Sequence, residues 1–317
     1  MRQVCRIRNK TLITEMKKML FALASALGVL CACQSGPEKA AQADIAGHVI
    51  IIGLDGWGTW SFEKGETPFI REMMKEGCYT LYKRTVLPSS SGPNLGAMMN
   101  GTPVEATGIA SNSATPDFKP LVLTEHHAQP TFFHLLKQVR PDAETGVVCE
   151  WGDFLNYTDT LCLDYFQRIQ DPGGHPDAIV EESVKYIVDK KPVLCFIHID
   201  ALDHMGHAYG NGSAEYYAEL PRVDDRVRRI VEGVKDAGIY DDSIIILTSD
   251  HGHEGTGHGG RTMNEMETPL VIWGKGVRKN HEITETVIQY DLAATVAEVF
   301  HLEKPQSWRG VCIPVFE

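Results

Sequence analysis

The chain has 317 residues, a mass of 35.1 kDa and 43% hydrophobic side chains, enough for one large α/β core, and nothing in it calls for a second catalytic domain. Its 42 acidic against 30 basic side chains give a formal charge of -12, and six of the basic residues lie before Cys33, so the remainder is more acidic still. Such a surface repels nucleic-acid backbones and no basic patch interleaved with aromatics offsets it, which excludes bulk nucleic acid as a partner.

Arg2, Arg6, Arg8, Lys10, Lys17 and Lys18 precede an apolar run from Met19 to Leu30, the basic and hydrophobic regions of an export signal. That run is too short for a comfortable membrane span. Leu30-Cys31-Ala32-Cys33 resembles a bacterial lipoprotein processing site, which implies residues 1–32 as signal, Cys33 as a lipid anchor to a membrane, and a periplasmic or cell-surface address. An ordinary cleaved signal with an incidental cysteine is the alternative. Residues 33–47 then read as a flexible polar tether and 48–317 as a single catalytic domain. Of eight cysteines, Cys149 and Cys162 bracket a polar loop and are the expected disulfide pair, Cys195 reads as a core residue, and no Cys-x-x-Cys motif points to a thiolate-held metal.

His48 to Leu54 is a nearly continuous Val/Ile run, the mark of a strand buried on both faces. Thr67 to Glu76 reads as a helix, with Pro68 at its start and Gly77 beyond its end. Further strands are predicted at Thr80 to Leu87, Val147 to Cys149, Val193 to Ile199, Ser243 to Thr248 and Leu270 to Trp273. Ala214 to Ala237 reads as a long helix bent at Pro221, and Asp291 as the cap of a helix through Phe300. Strands alternating with helices predict an α/β fold, a mostly parallel central sheet sandwiched between helices, whose ligands gather at the carboxyl ends of the strands.

The chemistry-bearing residues sit at those ends. Asp55 leaves the first strand. Asp203 and His207, four residues apart, follow the Val193 to Ile199 strand, with His204 as an outer-layer candidate and Asp200 as a residue to orient it. Asp250 and His251 follow the Ser243 to Thr248 strand, and His258 lies in a glycine-rich loop where His253 competes for the same roles. Each has a plain structural reading as turn former, helix neighbour or histidine-rich loop. Six mixed carboxylate and imidazole ligands at strand ends fit a two-metal site better, and suit zinc, with manganese or iron as substitutes. Ser91 reads as the N-cap of a helix running to Met99, whose free amides would receive a phosphoryl group.

Pro88-Ser89-Ser90-Ser91-Gly92-Pro93-Asn94, then Gly101-Thr102-Pro103 and Gly108-Ile109, resemble the nucleophile segment of the alkaline phosphatase superfamily, in particular its type I phosphodiesterase/nucleotide pyrophosphatase branch. The resemblance runs from about His48 to Gly310 and departs by serine in place of threonine and by a short chain. It implies an alkaline phosphatase-like fold and a nucleophile at Ser91. It also implies one metal held by Asp55, Ser91, Asp250 and His251 and a second by Asp203, His207 and His258, with Asn112 holding a nonbridging phosphoryl oxygen. The implied activity is phosphoester hydrolysis of a small substrate, foremost of a phosphodiester, through a covalent phosphoseryl intermediate.

A monoesterase must neutralise an extra oxygen charge. No basic residue is expected beside Ser91, with Arg84 on the preceding strand and Arg261 after the His258 loop, which favours a diester over a phosphomonoester or phosphonate. Sulfatase chemistry ranks lower because no arginine stands two positions after Pro93. A zinc protease lacks its His-Glu-x-x-His motif. The non-enzyme alternative is a lipid-anchored, metal-dependent binder of a phosphate-bearing ligand. Trp57, Trp60, Trp151, Phe154 and Tyr157 are candidates to stack on a base or sugar. The oligomeric state stays open.

Overall fold

The computed structural model describes residues 43–170 and 175–317; the segment read as an export signal, Cys33 and the stretch read as tether up to residue 42 lie outside the described residues. Packing begins before His48, within the stretch read as tether. The Ile45 amide donates to Val299 O, the Gly47 amide to Asp242 O, and Ala46 is fully buried.

Eight strands form one sheet. In chain order they are β1 (His48–Leu54), β2 (Gly77–Arg84), β3 (Thr145–Cys149), β4 (Tyr165–Arg168), β5 (Leu194–Ile199), β6 (Ser243–Thr248), β7 (Glu267–Gly274) and β8 (His281–Glu282), in the spatial order β4-β3-β5-β1-β6-β7-β2-β8. Every neighbouring pair is parallel except the two that β7 makes, with β6 and with β2. The sheet is therefore mostly parallel, as expected. Residues alternate between its faces, so Val49 and Ile51 join one apolar cluster while Ile50, Ile52 and Leu54 join the other. A strand buried on both sides must be apolar throughout, which is why β1 reads as an unbroken Val/Ile run.

The helices are α1 (Pro68–Glu76), α2 (Ser91–Asn100), α3 (Val104–Thr107), α4 (Phe132–Val139), α5 (Ala178–Lys190), α6 (Ala201–Tyr209), α7 (Ala214–Asp236), α8 (Met263–Met266) and α9 (Asp291–Val299). On one face α2, α4 and α9 supply Leu95, Met98, Leu136 and Val296 to the core; on the other α1, α5 and α7 supply Ile70, Ile187, Val227 and Ile230. No helix among the described residues is long and apolar enough to cross a membrane.

Several local expectations change. Strand β2 starts at Gly77, directly behind α1, and stops at Arg84 rather than Leu87. The N-cap of α2 is Ser90, and Ser91 is its first helical residue. Asp291 lies inside α9 rather than capping it: its carboxylate accepts from the Ile288 and Val311 amides and so ties the C-terminal segment to the helix start. Helix α7 continues through Pro221 as one element. Cys149 and Cys162 are free buried thiols, the first ending a core strand and the second facing the His134 imidazole. The disulfide expected between them is not formed.

One long-range bond organises the second layer. Thr67 makes no side-chain cap on α1; instead Asp224, from the middle of α7, accepts from the Phe69 and Ile70 amides at 2.9 and 2.8 Å. A negative charge on the free amides of a helix start satisfies two donors that the helix itself leaves open. Replacing it by Asp224→Ala is expected to cost about 2–3 kcal/mol in urea unfolding, from two stranded donors. A cost below about 0.5 kcal/mol would mean that water serves that helix end as well.

Candidate functional site

The three central strands β5, β1 and β6 end side by side, and each hands a carboxylate to the same rim. Asp55 leaves β1, Asp203 lies in the first turn of α6 just after β5, and Asp250 follows β6. Asp55 and Asp250 are 1% and 2% exposed. Burial first, and then the charges of Asp250, Asp203 and Asp200, push the Asp55 carboxyl well above the usual range. Asp203 is also buried, but its hydrogen bond from His253 and the surrounding imidazoles outweigh that and hold it well below.

Ser91 Oγ lies 3.2 Å from His251 Nε2, and that nitrogen is 3.3 Å from Asp55 Oδ1 and 3.5 Å from Asp250 Oδ2. A second group adjoins the first: His207 Nε2 is 3.4 Å from Asp203 Oδ2, and His258 Nε2 is 3.1 Å from His207 Nε2 and 3.7 Å from Asp203 Oδ1. The rings of His251 and His258 stack at 3.8 Å. All seven residues singled out as ligands or nucleophile thus come together, although Asp55 and His258 are 203 positions apart.

The donor atoms fit two cations. His251 Nδ1 faces Gly252 O at 3.0 Å and His207 Nδ1 faces Thr256 O at 2.9 Å. A carbonyl only accepts, so in the neutral ring each Nδ1 carries the hydrogen and each Nε2 presents a lone pair inward. For His251 that lone pair meets Asp55 Oδ1 and Asp250 Oδ2, both buried without a hydrogen-bond partner. Lone pair against carboxylate oxygen is repulsive unless a cation stands between them.

The loop carrying His258 is fastened to the nucleophile segment. The Gly259 amide donates to Ser89 O, Ser89 Oγ to Gly260 O, and the Gly260 amide to Glu265 Oε1, within a capping box that starts α8 at Thr262. Asn112 reaches the same place, its Oδ1 accepting from the Gly92 amide at 2.8 Å, which leaves its NH2 group to donate elsewhere. That bond also corrects the expected row of open amides at the start of α2. Gly92 is engaged, Pro93 has no N–H, and the Asn94 amide returns to Ser90 O, so the Ser91 amide alone is left of the first turn.

Sequence reasoning passed over two residues. His198, the one polar side chain in β5, is fully buried with Nε2 3.0 Å from Asp55 Oδ2, and burial lowers it to about 4, so it is a neutral neighbour of that carboxylate. A lone imidazole in an apolar strand was the available signal. Lys83 is 2% exposed, donates to Ser249 O at 2.8 Å and to Gln289 Oε1, and places a cation behind Asp250; burial brings it down to about 7. Nothing in β2 announced it.

His253 Nε2 lies 2.8 Å from Asp203 Oδ1 and positions that carboxylate. Asp200 lies with Asp55 and Asp203 rather than orienting His204, and burial raises it to about 7. His204 lines a cavity of about 1060 Å³ on the other side of Asp200, with Glu150, Glu219 and Arg226. Arg84 pairs with Glu267 at 2.9 Å and Arg261 is exposed. Of the aromatics, Trp57 and Phe154 are core, Trp60 packs on Tyr216, and Trp151 stacks on Tyr157, whose hydroxyl donates to Ser113 O.

Two glycines let α6 and the rim approach His253. Gly56, at φ +71°, would set a Cβ 2.7 Å from the Asp203 Cα, and a Cβ on Gly206 would stand 2.4 Å from His253 Nε2. Gly206→Ala is expected to push His253 off Asp203 and lower stability by about 1–3 kcal/mol in urea unfolding. Gly257→Ala, in open space on the neighbouring loop, should change it by less than about 0.5 kcal/mol. Equal effects of the two would show that the Gly206 contact is slack.

Residues 49–270 match the family model described as type I phosphodiesterase / nucleotide pyrophosphatase. Curated relatives include the GPI ethanolamine phosphate transferase 1 of Saccharomyces cerevisiae, 28% identical over 224 residues, and that of Homo sapiens, 26% identical over 236 residues. Each alignment covers 67% of this chain but only 24% of the relative, so the chain spans about a quarter of their length. Among solved structures, murine ectonucleotide pyrophosphatase / phosphodiesterase 5 superposes with a TM-score of 0.65 at 14% identity, over 81% of this chain and 96% of that one. A 2-O GAG sulfatase superposes with a TM-score of 0.67 at 14% identity, over 84% of this chain and 73% of that one. The fold is that of the alkaline phosphatase superfamily, and within it the chain belongs to the type I phosphodiesterase / nucleotide pyrophosphatase family.

Proposed function

We propose that this protein is a two-metal phosphoryl-transfer enzyme that cleaves a small phosphodiester through a phosphoseryl intermediate on Ser91. The observation that carries the reading is the 3.2 Å contact of Ser91 Oγ with His251 Nε2, at the point where two unpartnered carboxylate oxygens converge. Asp55, Ser91, Asp250 and His251 would hold one ion and Asp203, His207 and His258 the other. The mixed imidazole and carboxylate set suits zinc, with manganese or iron as substitutes. Divalent ions in such a site neutralise phosphoryl oxygens and favour the ionised form of a bound hydroxyl.

Ser91 Oγ, its hydroxyl proton released to solvent, forms a bond to phosphorus as the bond to the leaving oxygen breaks, and the departing alcohol takes a proton from solvent. Asn112, its carbonyl held by the Gly92 amide, donates its NH2 to a nonbridging oxygen. Water then attacks phosphorus, the Ser91 ester breaks, and a proton is released. A diester leaves one negative oxygen fewer to neutralise than a monoester does. The surroundings match that lower demand, because Arg84 is spent on Glu267 and Lys83 on Ser249 O and Gln289.

A second acceptor is favoured by a specific observation. The curated relatives are named as ethanolamine phosphate transferases, and a phosphoserine that waits for water can equally be resolved by an alcohol. The catalytic domain would be exported and tethered through Cys33, a reading that rests on the Arg2 to Cys33 segment alone.

Ser91→Ala is expected to lower turnover of a chromogenic phosphodiester by a factor on the order of 10³ or more, with metal content monitored in parallel. Rapid acid quench of the parent enzyme should trap phosphoserine at position 91, and an added amino alcohol should divert part of the product to a new diester if transfer operates. Full turnover by Ser91→Ala would end the serine mechanism. Separately, His258→Ala should reduce bound metal by one ion per chain relative to the parent; unchanged content would remove His258 from the ligand set.

A further inference from the structure

Beyond the rim of the sheet, four side chains of metal-ligating type converge from two segments. His126 lies in the turn after Thr124 and His134 in the first turn of α4; Asp159 caps the 3-10 turn Thr160–Cys162 and Cys162 ends it. Their donor atoms all lie within 4.8 Å of one another. His126 Nδ1 is 2.6 Å from Asp159 Oδ2, and His134 Nδ1 is 3.7 Å from Cys162 Sγ. Ligands around a tetrahedral zinc ion stand roughly 3.3–3.6 Å apart, given bonds of about 2.0–2.3 Å, so small side-chain adjustments would close this set on an ion.

We propose that His126, His134, Asp159 and Cys162 form a structural zinc site, separate from the paired metals at Ser91. Three observations converge on it. The set is electrically complete, since two neutral imidazoles, one carboxylate and one thiolate cancel the double charge of the ion in a place where an unbalanced charge would be costly. Both imidazoles present Nδ1 to the cluster, and one exposed carboxylate, Glu125, lies 3.9 Å from each Nε2, outside hydrogen-bond distance but on the side where an outer partner of a ligating histidine would stand. His134, Asp159 and Cys162 are buried at 3–4% exposure while the His126 side chain is 34% exposed, which closes the site yet leaves an entry path.

Without an ion, burial pushes the Cys162 thiol up to about 12, so it would carry its proton; coordination releases that proton to solvent. The absence of a Cys-x-x-Cys motif concealed the set, because its ligands are 8 and 3 positions apart within segments 25 residues distant. An ion here would clasp the Thr124–Ala128 turn and the start of α4 to the 3-10 turn. Both flank the loop that bears Asn112 and that Tyr157 contacts through Ser113 O.

The test uses the full chain stripped of metal and reloaded with cobalt. The expected result is a near-ultraviolet thiolate-to-cobalt charge-transfer band, which the all nitrogen and oxygen site at Ser91 cannot give. The band should survive in Asp250→Asn and vanish in Cys162→Ser. Zinc content should fall by one ion per chain in Cys162→Ser and in His134→Ala. His126→Ala, at the exposed edge and safest for folding, should weaken zinc retention at least tenfold in a chelator competition. A parent spectrum without the band, a band that persists in Cys162→Ser, or unchanged zinc content in these variants would overturn the proposal and leave an ordinary Asp159–His126 pair.

Discussion

Four carboxylates, Asp55, Asp200, Asp203 and Asp250, crowd the ends of three adjacent strands, the first and last of them buried. Burial first, and then the charges of their neighbours, raise Asp55 and Asp200. The nearby imidazoles relieve this crowding at Asp203, which His253 and its neighbours hold well below the usual range, but not at Asp55 or Asp200. His198 is held neutral by burial, and His258, lowered to about 4 by burial and then by the charge of His251, is disfavoured as a cation. Lys83 stands behind Asp250 with its Nζ committed to Ser249 O and Gln289, and burial brings it down to about 7, so it offsets the carboxylates only in part. A rim built this way gathers groups of metal-ligating type, and it sets Ser91 Oγ 3.2 Å from His251 Nε2, the contact on which the proposed phosphoryl transfer rests.

The supports of the rim are as informative as its ligands. His253 steadies Asp203, the Glu150 carboxylate accepts from the Asp200 amide at 2.7 Å, and Ser89 laces the His258 loop to the start of α2. Each of these bonds joins segments far apart in the chain, so a change in one segment reaches the rim through hydrogen bonds. Gly56 and Gly206 contribute by having no side chain where His253 and the α6 backbone must fit. The whole cluster is drawn from within residues 55–258.

The three-strand arrangement was largely legible beforehand, because a strand buried on both faces is uniformly apolar and the polar residue that ends it stands out. That held for Asp55 after β1 and for Asp250 and His251 after β6. The same rule hid His198, which sits inside β5 where a polar residue is read as an exception, and Lys83, whose neighbours in β2 alternate without a clear period. The disulfide failed for a different reason: a loop that brackets two cysteines says nothing about where their side chains point, and Cys162 points to His134.

From the amino-acid order alone come the apolar strands, the helices that begin near Pro68 and Ser91, and the chemical identity of the candidate ligands, since these depend on backbone propensity and on residue type within short windows. Only the tertiary structure decided that β7 runs against its neighbours, that Asp224 caps a helix begun 156 positions earlier, and that Ser90 rather than Ser91 is the cap. It alone also joined His126 to Asp159 and Lys83 to Gln289. Those outcomes are set by which donors and charges would otherwise be buried without a partner, a condition that exists only once distant segments have packed together.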